Sequence, residues 1–175
     1  MGAVSRFNFL RGRFRGDPDA VRPPWAADLA AFAESCDRCG RCERACPERI
    51  VTTDRAGFPA VDFAAGACTF CGACADACPT GALSRADGRA AWDVKAEIGA
   101  GCLSFNGVDC RVCGDHCEAR AIRFRPLGRG RWLPEIAGAA CTGCGACVGP
   151  CPAKAIAVRP DRHEHQDERE VAACG

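Results

Sequence analysis

A chain of 175 residues is long enough for one or two small domains. Seventeen cysteines at this length would ordinarily signal a secreted disulfide scaffold, but such a framework has no need of four tandem cysteine loops. The formal net charge of +1 points to no nucleic-acid partner, and no stretch has the length and apolarity of a membrane span.

Residues 1–30 show no periodicity and read as a basic, extended arm. Arg6, Arg11, Arg13, Arg15 and Arg22 oppose only Asp17 and Asp19, a local surplus of +3. The pair Pro23-Pro24 excludes helix and keeps the chain extended. Trp25 beside it suits either docking to another protein or packing back as a strap on its own domain. Arg11, Arg13, Arg15, Arg22 and Trp25 are therefore the candidate partner-binding residues. Membrane-surface binding through Phe7, Phe9, Leu10 and Phe14 is the lesser alternative. No apolar run of signal length follows the arm, and its arginines never form the consecutive pair of a twin-arginine signal. The expected location is the cytoplasm, where thiols stay reduced.

From residue 36 the chain becomes a repeat. Cys36, Cys39, Cys42 and Cys46-Pro47 form the first loop, and Cys68, Cys71, Cys74 and Cys78-Pro79 the second with the same spacing. The fourth, Cys141, Cys144, Cys147 and Cys151-Pro152, is again identical in pattern. The third departs: Cys102 is followed by seven residues before Cys110, Cys113 and Cys117, and Glu118 stands where the others have proline. Three thiolates at two-residue spacing wrap three corners of a 4Fe–4S cube, and the fourth cysteine, turned away by proline, ligates a partner cluster. Four 4Fe–4S clusters are expected, and at least three should the wide third loop fail to close. With crossing ligands, Cys46 serves the cluster of Cys68, Cys71 and Cys74, while Cys78 serves that of Cys36, Cys39 and Cys42. Cys117 and Cys151 exchange in the same way between the later loops; this pairs loop one with two and three with four, and pairing of the two middle loops is the alternative, since the intervals between successive loops are similar. Zinc is the rival metal, but it gains nothing from a third cysteine in register. A redox dithiol needs only one such motif.

Short strand-like pieces follow each loop. Ile50–Thr52 and Ala60–Phe63 flank a turn from Asp54 to Pro59, and Trp92, Val94, Ala96 and Ile98 alternate with charged residues. Ala121–Phe124 and Trp132-Leu133 flank a turn containing Gly128 and Gly130, and Ala155–Val158 closes the series. The fold class is small α+β: tandem bacterial bicluster-ferredoxin modules with short strands and turns around iron–sulfur clusters. The expected divisions are the arm over 1–30, modules over 31–90 and 91–158, and a disordered, charged tail over 159–175. Four oxidised clusters with their thiolates would take the holoprotein to a net charge of roughly −7. Arg38, Arg41 and Arg44 lie in the first loop and only Asp76 in the second, which favours a higher potential for the first cluster. His116, next to Cys117, reads as a solvated or hydrogen-bonding side chain, and His163 and His165 as polar filler in the tail. No nucleophile–base constellation stands out, so the chain reads as non-catalytic.

With these features together, the chain resembles the NapF-type ferredoxin proteins over about residues 6–158. The most specific points are Arg22-Pro-Pro-Trp25, Ala91-Trp-Asp93, and the third loop's wide first spacing with its Cys117-Glu118 ending. The resemblance implies a cytoplasmic accessory protein that binds the precursor of the periplasmic nitrate reductase catalytic subunit before export and helps mature its iron–sulfur site. Residues alone leave an electron-transfer relay open as the alternative.

Overall fold

The computed structural model describes residues 17, 19–85, 90–128 and 130–160. The chain divides after Trp92 into two compact units, each a small α+β assembly of short helices and antiparallel strand pairs.

The first unit starts earlier than composition suggests. Val21 and Pro23 are buried, and the Val61 N–H donates to the Val21 carbonyl at 2.8 Å. Ala26 forms an antiparallel bridge with Leu83, flanked by hydrogen bonds from Ala27 to Ala82 and from Ser84 to Trp25. The segment from Val21 onward is thus a strap on the unit, not part of a free arm. Its prolines lack ladder donors and its apolar side chains have a face to cover.

Arg22 lies at the centre of this strap. Its Nη1 pairs with Asp54 Oδ2 at 2.9 Å and also donates to the Pro59 carbonyl, with the two side chains only 9% and 6% exposed. The guanidinium sits within 6 Å of the Phe32 and Phe58 ring centroids, at 5.8 and 5.6 Å. Asp54 Oδ1 meanwhile accepts the N–H groups of Ala56 and Phe58, closing a turn. Burial opposes the Asp54 charge, but the Phe58 N–H and the Arg22 guanidinium outweigh it and hold the carboxyl below the usual carboxylate range. The native carboxyl binds its proton less readily than the unfolded one, so this contribution is intact at neutral pH and is lost as pH falls through the depressed pKa. Asp54→Asn leaves the arginine charge buried and unpaired, and is expected to cost about 3–5 kcal/mol of stability. Thermal unfolding of the anaerobic holoprotein checks this, and an unchanged midpoint would refute it.

Around the strap, helix α1 (Leu29–Ser35) starts at Asp28, whose carboxylate accepts from the Ala30 and Ala31 N–H groups. It buries Phe32, whose ring meets Phe58 at 6.1 Å. Helix α2 (Arg41–Ala45), strands β1 (Val51–Thr53) and β2 (Pro59–Val61), and helix α3 (Ala73–Asp76) complete the unit. The hairpin pairs Val51 with Val61 and Thr53 with Pro59. Its core is Phe32, Ile50, Val51, Phe58, Ala75 and Leu83, joined by the thiols of Cys42 and Cys74. Cysteine is part of the core because there is little else to build one.

In the second unit, β3 (Val94–Ile98) pairs antiparallel with β6 (Ile156–Pro160), from Val94↔Pro160 to Ile98↔Ile156. Val94 and Ala96 point inward and Glu97 outward, as the alternation requires. Strand β6 runs two residues into the stretch assigned to the tail; His163, His165 and Cys174 lie outside the described residues. Between these strands stand helix α4 (Val112–Asp115) and the hairpin of β4 (Ile122–Gly128) and β5 (Arg131–Ile136), with one turn of 3-10 helix at Gly138–Ala140. Gly114 makes room here: a Cβ on it would lie 2.5 Å from Phe124 Cε2, so any side chain would push the Phe124 ring away from α4. The hairpin falls between two cysteine loops in each unit, and the segment before the first loop pairs with the one after the second.

The helices are absent from the strand-and-turn reading of the sequence. At four to seven residues they are too short to display a 3.6-residue period or to be stable alone. No helix among the described residues is long and apolar enough to cross a membrane.

Candidate iron–sulfur centres

Backbone conformation repeats around the cysteines. Arg38, Phe70 and Gly143, each two residues past the first cysteine of loops one, two and four, are left-handed, with φ of 58°, 55° and 72°. Gly40, Gly72 and Gly145, each just after the second cysteine, follow at 67°, 83° and 77°. Left-handed residues alternating with right-handed ones curl the chain and turn its N–H groups inward, forming a concavity suited to an anion. Arginine and phenylalanine adopt this conformation only at a cost, so something must hold them there. Three residues past the fourth cysteine, Arg49, Gly81, Arg120 and Lys154 are left-handed as well. That turn returns the chain towards the sulfur: Ala121 N–H reaches Cys117 Sγ at 3.2 Å, and Ala155 and Leu83 reach Cys151 and Cys78 at 3.4 Å. Hydrogen bonds of this kind favour negative charge on sulfur and tune cluster potential.

The sixteen loop cysteines are all free thiols, and twelve of them line three hollows. Cys36, Cys39, Cys42 and Cys78 line one of about 420 Å³, together with Arg38 and Arg41. Cys46 lines another, of about 340 Å³, with Cys68, Cys71, Cys74, Trp25 and Phe70. In the second unit Cys102, Cys110 and Cys113 share a hollow of about 340 Å³ with Cys151. In each case three thiols of one loop meet the fourth thiol of the other loop in the same unit. Cys117, Cys141, Cys144 and Cys147 remain; of these Cys147 is charge-coupled to Cys144, Cys141 and Cys113. Among the described residues no three His, Cys, Asp or Glu side chains are placed for a single metal ion. Four sulfurs spread around a hollow suit a cube whose four irons each take one thiolate, whereas zinc draws its sulfurs in to about 2.3 Å.

The third cysteine of every loop is the buried one. Burial, with neighbouring thiols adding to it, pushes Cys42 and Cys113 up to about 11 and Cys74 and Cys147 up to about 12. Burial also raises Cys36. At Cys78 burial acts the same way but is outweighed by the Leu83 N–H and the Thr80 hydroxyl, leaving that thiol lowered. Without metal the buried thiols keep their protons at neutral pH, and iron must displace them.

The remaining candidates fall out differently. Trp25 is half-buried against the core and lines the second hollow, and Arg22 is taken up by Asp54, so of the two roles considered for this segment the strap is the one seen. Arg11, Arg13 and Arg15 lie outside the described residues, as do Arg6, Phe7, Phe9, Leu10 and Phe14. His116 is exposed and lines none of the three hollows. The charge contrast between loops one and two is smaller than the loops alone suggest: Arg85, beyond the second loop, pairs with Asp76 at 2.6 Å and covers Gly72. Lys95, one of only two lysines, is one of the charged residues that alternate along the strand, and its Nζ donates to the Cys141 carbonyl at 2.9 Å. Its rarity in an arginine-dominated chain was the available signal.

Residues 35–82 match the family model of a 4Fe–4S dicluster domain, and residues 139–154 that of a 4Fe–4S binding domain. The ferredoxin-type protein NapF of Escherichia coli strain K12 is 43% identical over 153 residues, covering 87% of this chain and 93% of that protein. NapF of Haemophilus influenzae is 40% identical over 163 residues, covering 87% and 92%. The methylamine utilization ferredoxin-type protein MauM of Paracoccus denitrificans is 34% identical over 179 residues, covering 91% and 79%. Multiple 4Fe–4S clusters are therefore the cofactors of this chain.

Proposed function

We propose, from the premise that this chain belongs to the NapF family of ferredoxin-type proteins, that it is a cytoplasmic, non-catalytic polyferredoxin. It serves the catalytic subunit of periplasmic nitrate reductase as an accessory and maturation factor before that subunit is exported. Each unit is read as one bicluster module, with the sixteen loop cysteines as ligands. Bound 4Fe–4S clusters supply reversible one-electron transfer and exchangeable iron and sulfide. The chain's own residues hold, shield and expose them.

The observation that carries this reading is the exposure of Cys39 and Cys71, the second cysteines of loops one and two. Three of the four thiols around each of these hollows are at least partly shielded, and these two reach the surface. A docked protein then has access to the cluster edge without the module unfolding. Arg11, Arg13 and Arg15 precede the strap that Arg22 and Trp25 anchor. In this reading they meet acidic surface on the precursor.

The test is a pull-down of the cytoplasmic precursor by the anaerobic holoprotein, full-length or lacking residues 1–16. That cut leaves every hydrogen bond of Arg22 and Trp25 among the described residues in place. Capture that weakens severalfold on truncation supports the arm's role; equal capture removes the arm from the reading. No capture by either form would sink the accessory role.

One observation favours electron relay as the second reading. Helices α2 and α3, which carry Cys42 and Cys74, pack against each other, so the two centres of the first unit are neighbours. Fast reduction and reoxidation by a physiological donor and acceptor, with partner turnover lost in the protein's absence, would establish the relay instead.

A further inference from the structure

Three loops share a closing device and the third lacks it. Where loops one, two and four carry a left-handed residue two positions past the first cysteine and a left-handed glycine after the second, loop three has Ser104 and Arg111, neither of them left-handed, the latter with φ of −127°. Between Cys102 and Cys110 lie seven residues instead of two. A segment of that length has no intrinsic reason to bring its two ends to one hollow.

We propose that Ser104 and Asn106 are positioning residues that close the third loop and deliver Cys102 to its cluster. The proposal rests on the reading that the loops hold clusters. Asn106 grips the first cysteine: its backbone N–H donates to the Cys102 carbonyl at 3.1 Å, and its Nδ2 donates to the same carbonyl at 2.8 Å and to Ala100 at 2.9 Å. Ser104 holds the second, its Oγ donating to the Cys110 carbonyl at 2.8 Å. Two residues two positions apart thus tie down the backbone of both cysteines. The segment folds onto itself between them, with Val108 N–H on the Leu103 carbonyl at 3.0 Å and Gly107 left-handed at φ +86°.

Burial separates this brace from an ordinary surface turn. Ser104 is 3% exposed and is the only polar residue among those described that is buried as a whole, backbone included. A hydroxyl is kept in such a place only when its hydrogen bond is made, and losing the bond leaves the Cys110 carbonyl short of a donor. The consequence is read at the hollow: Leu103 lines it beside Cys102, Cys110, Cys113 and Cys151, while Phe105 and Val108 stay exposed. The insertion is folded so that one apolar residue faces the centre and the remainder stands clear.

The experiment compares anaerobically reconstituted full-length protein with Ser104→Ala, Asn106→Ala, the double variant, Ser104→Thr and Cys102→Ser. Iron content and Mössbauer and EPR spectra are recorded for each. The signal missing from Cys102→Ser identifies the third-loop cluster. The double variant is expected to lose that signal and about a quarter of its iron, with the first unit's signals unchanged. Ser104→Thr, which keeps the hydroxyl, should retain it. Full retention by the double variant would overturn the proposal, and so would equal loss from every cluster, which marks general destabilisation. If Cys102→Ser and the unsubstituted protein give the same spectra, no cluster uses Cys102 and the proposal fails. The function proposed above would survive that result on the other loops.

Discussion

Replacing Cys46 with serine is expected to disable the centre of the second loop and leave that of the first loop standing. Cys46 lines the hollow of Cys68, Cys71 and Cys74, and Cys78 lines that of Cys36, Cys39 and Cys42. The short helices explain the exchange. Helix α2 carries Cys42 in its first turn, and Cys46 caps its end. Four residues of helix advance the chain by about 6 Å, enough to leave one hollow and reach the next. Pro47 then turns the chain away. Helix α3 repeats this with Cys74 inside it and Cys78 beyond it. Cys46→Ser should therefore remove about a quarter of the iron, or convert one centre to a form lacking its fourth thiolate. Cys78→Ser should show the reciprocal loss. EPR and Mössbauer spectra of the two variants, set beside Cys39→Ser and Cys71→Ser, assign each signal to a loop. Damage from Cys46→Ser confined to the signal that Cys39→Ser removes would reject the exchange.

Stripping the iron under anaerobic conditions is expected to unfold both units. The purely carbon part of the first core is little more than Phe32, Ile50, Val51, Phe58, Ala75 and Leu83, and a core of this size supplies no more than about 3–5 kcal/mol. Against it stand helices of four and five residues that no isolated chain would keep. Arg38, Arg49, Phe70, Arg120 and Lys154 are left-handed without being glycine. Ligation holds these conformations, so its free energy is folding free energy. Titration with a ferrous chelator should give concurrent loss of visible absorbance, far-ultraviolet circular dichroism and resistance to protease. Retention of native circular dichroism and protease resistance after complete iron removal would show that the protein core suffices, against this expectation.

The cysteine loops were legible in the sequence because cluster binding is local. Three thiolates must meet one cube within a few residues of chain, and that requirement writes a spacing of two residues that survives any tertiary context. The exception was legible for the same reason: seven residues between Cys102 and Cys110 stand out against two elsewhere. The strand at 94–98 was visible through its alternation, since one side faces a core and the other water. At Arg22 and Trp25 local reasoning could only hold two roles open.

What the sequence by itself determined, then, is the sixteen thiols, their grouping into four loops, and the alternating strand between the second and third. Only the tertiary structure decided which partners several polar side chains take. Arg22 reads as one more charge of a basic arm until Asp54, buried in a turn more than thirty residues away, claims it. Asp76 reads as a lone negative charge until Arg85 returns to it, and Lys95 as one of the charged residues alternating along a strand until the fourth loop arrives beneath it. Ser104 and Asn106 look like ordinary turn residues until the insertion folds over and finds two cysteine carbonyls needing donors. The physical reason is common to all four cases. The grouping of three thiolates around one cube is set by spacing along the chain, but the partner of an ion pair or a side-chain hydrogen bond is chosen by a proximity that exists only once the chain has folded.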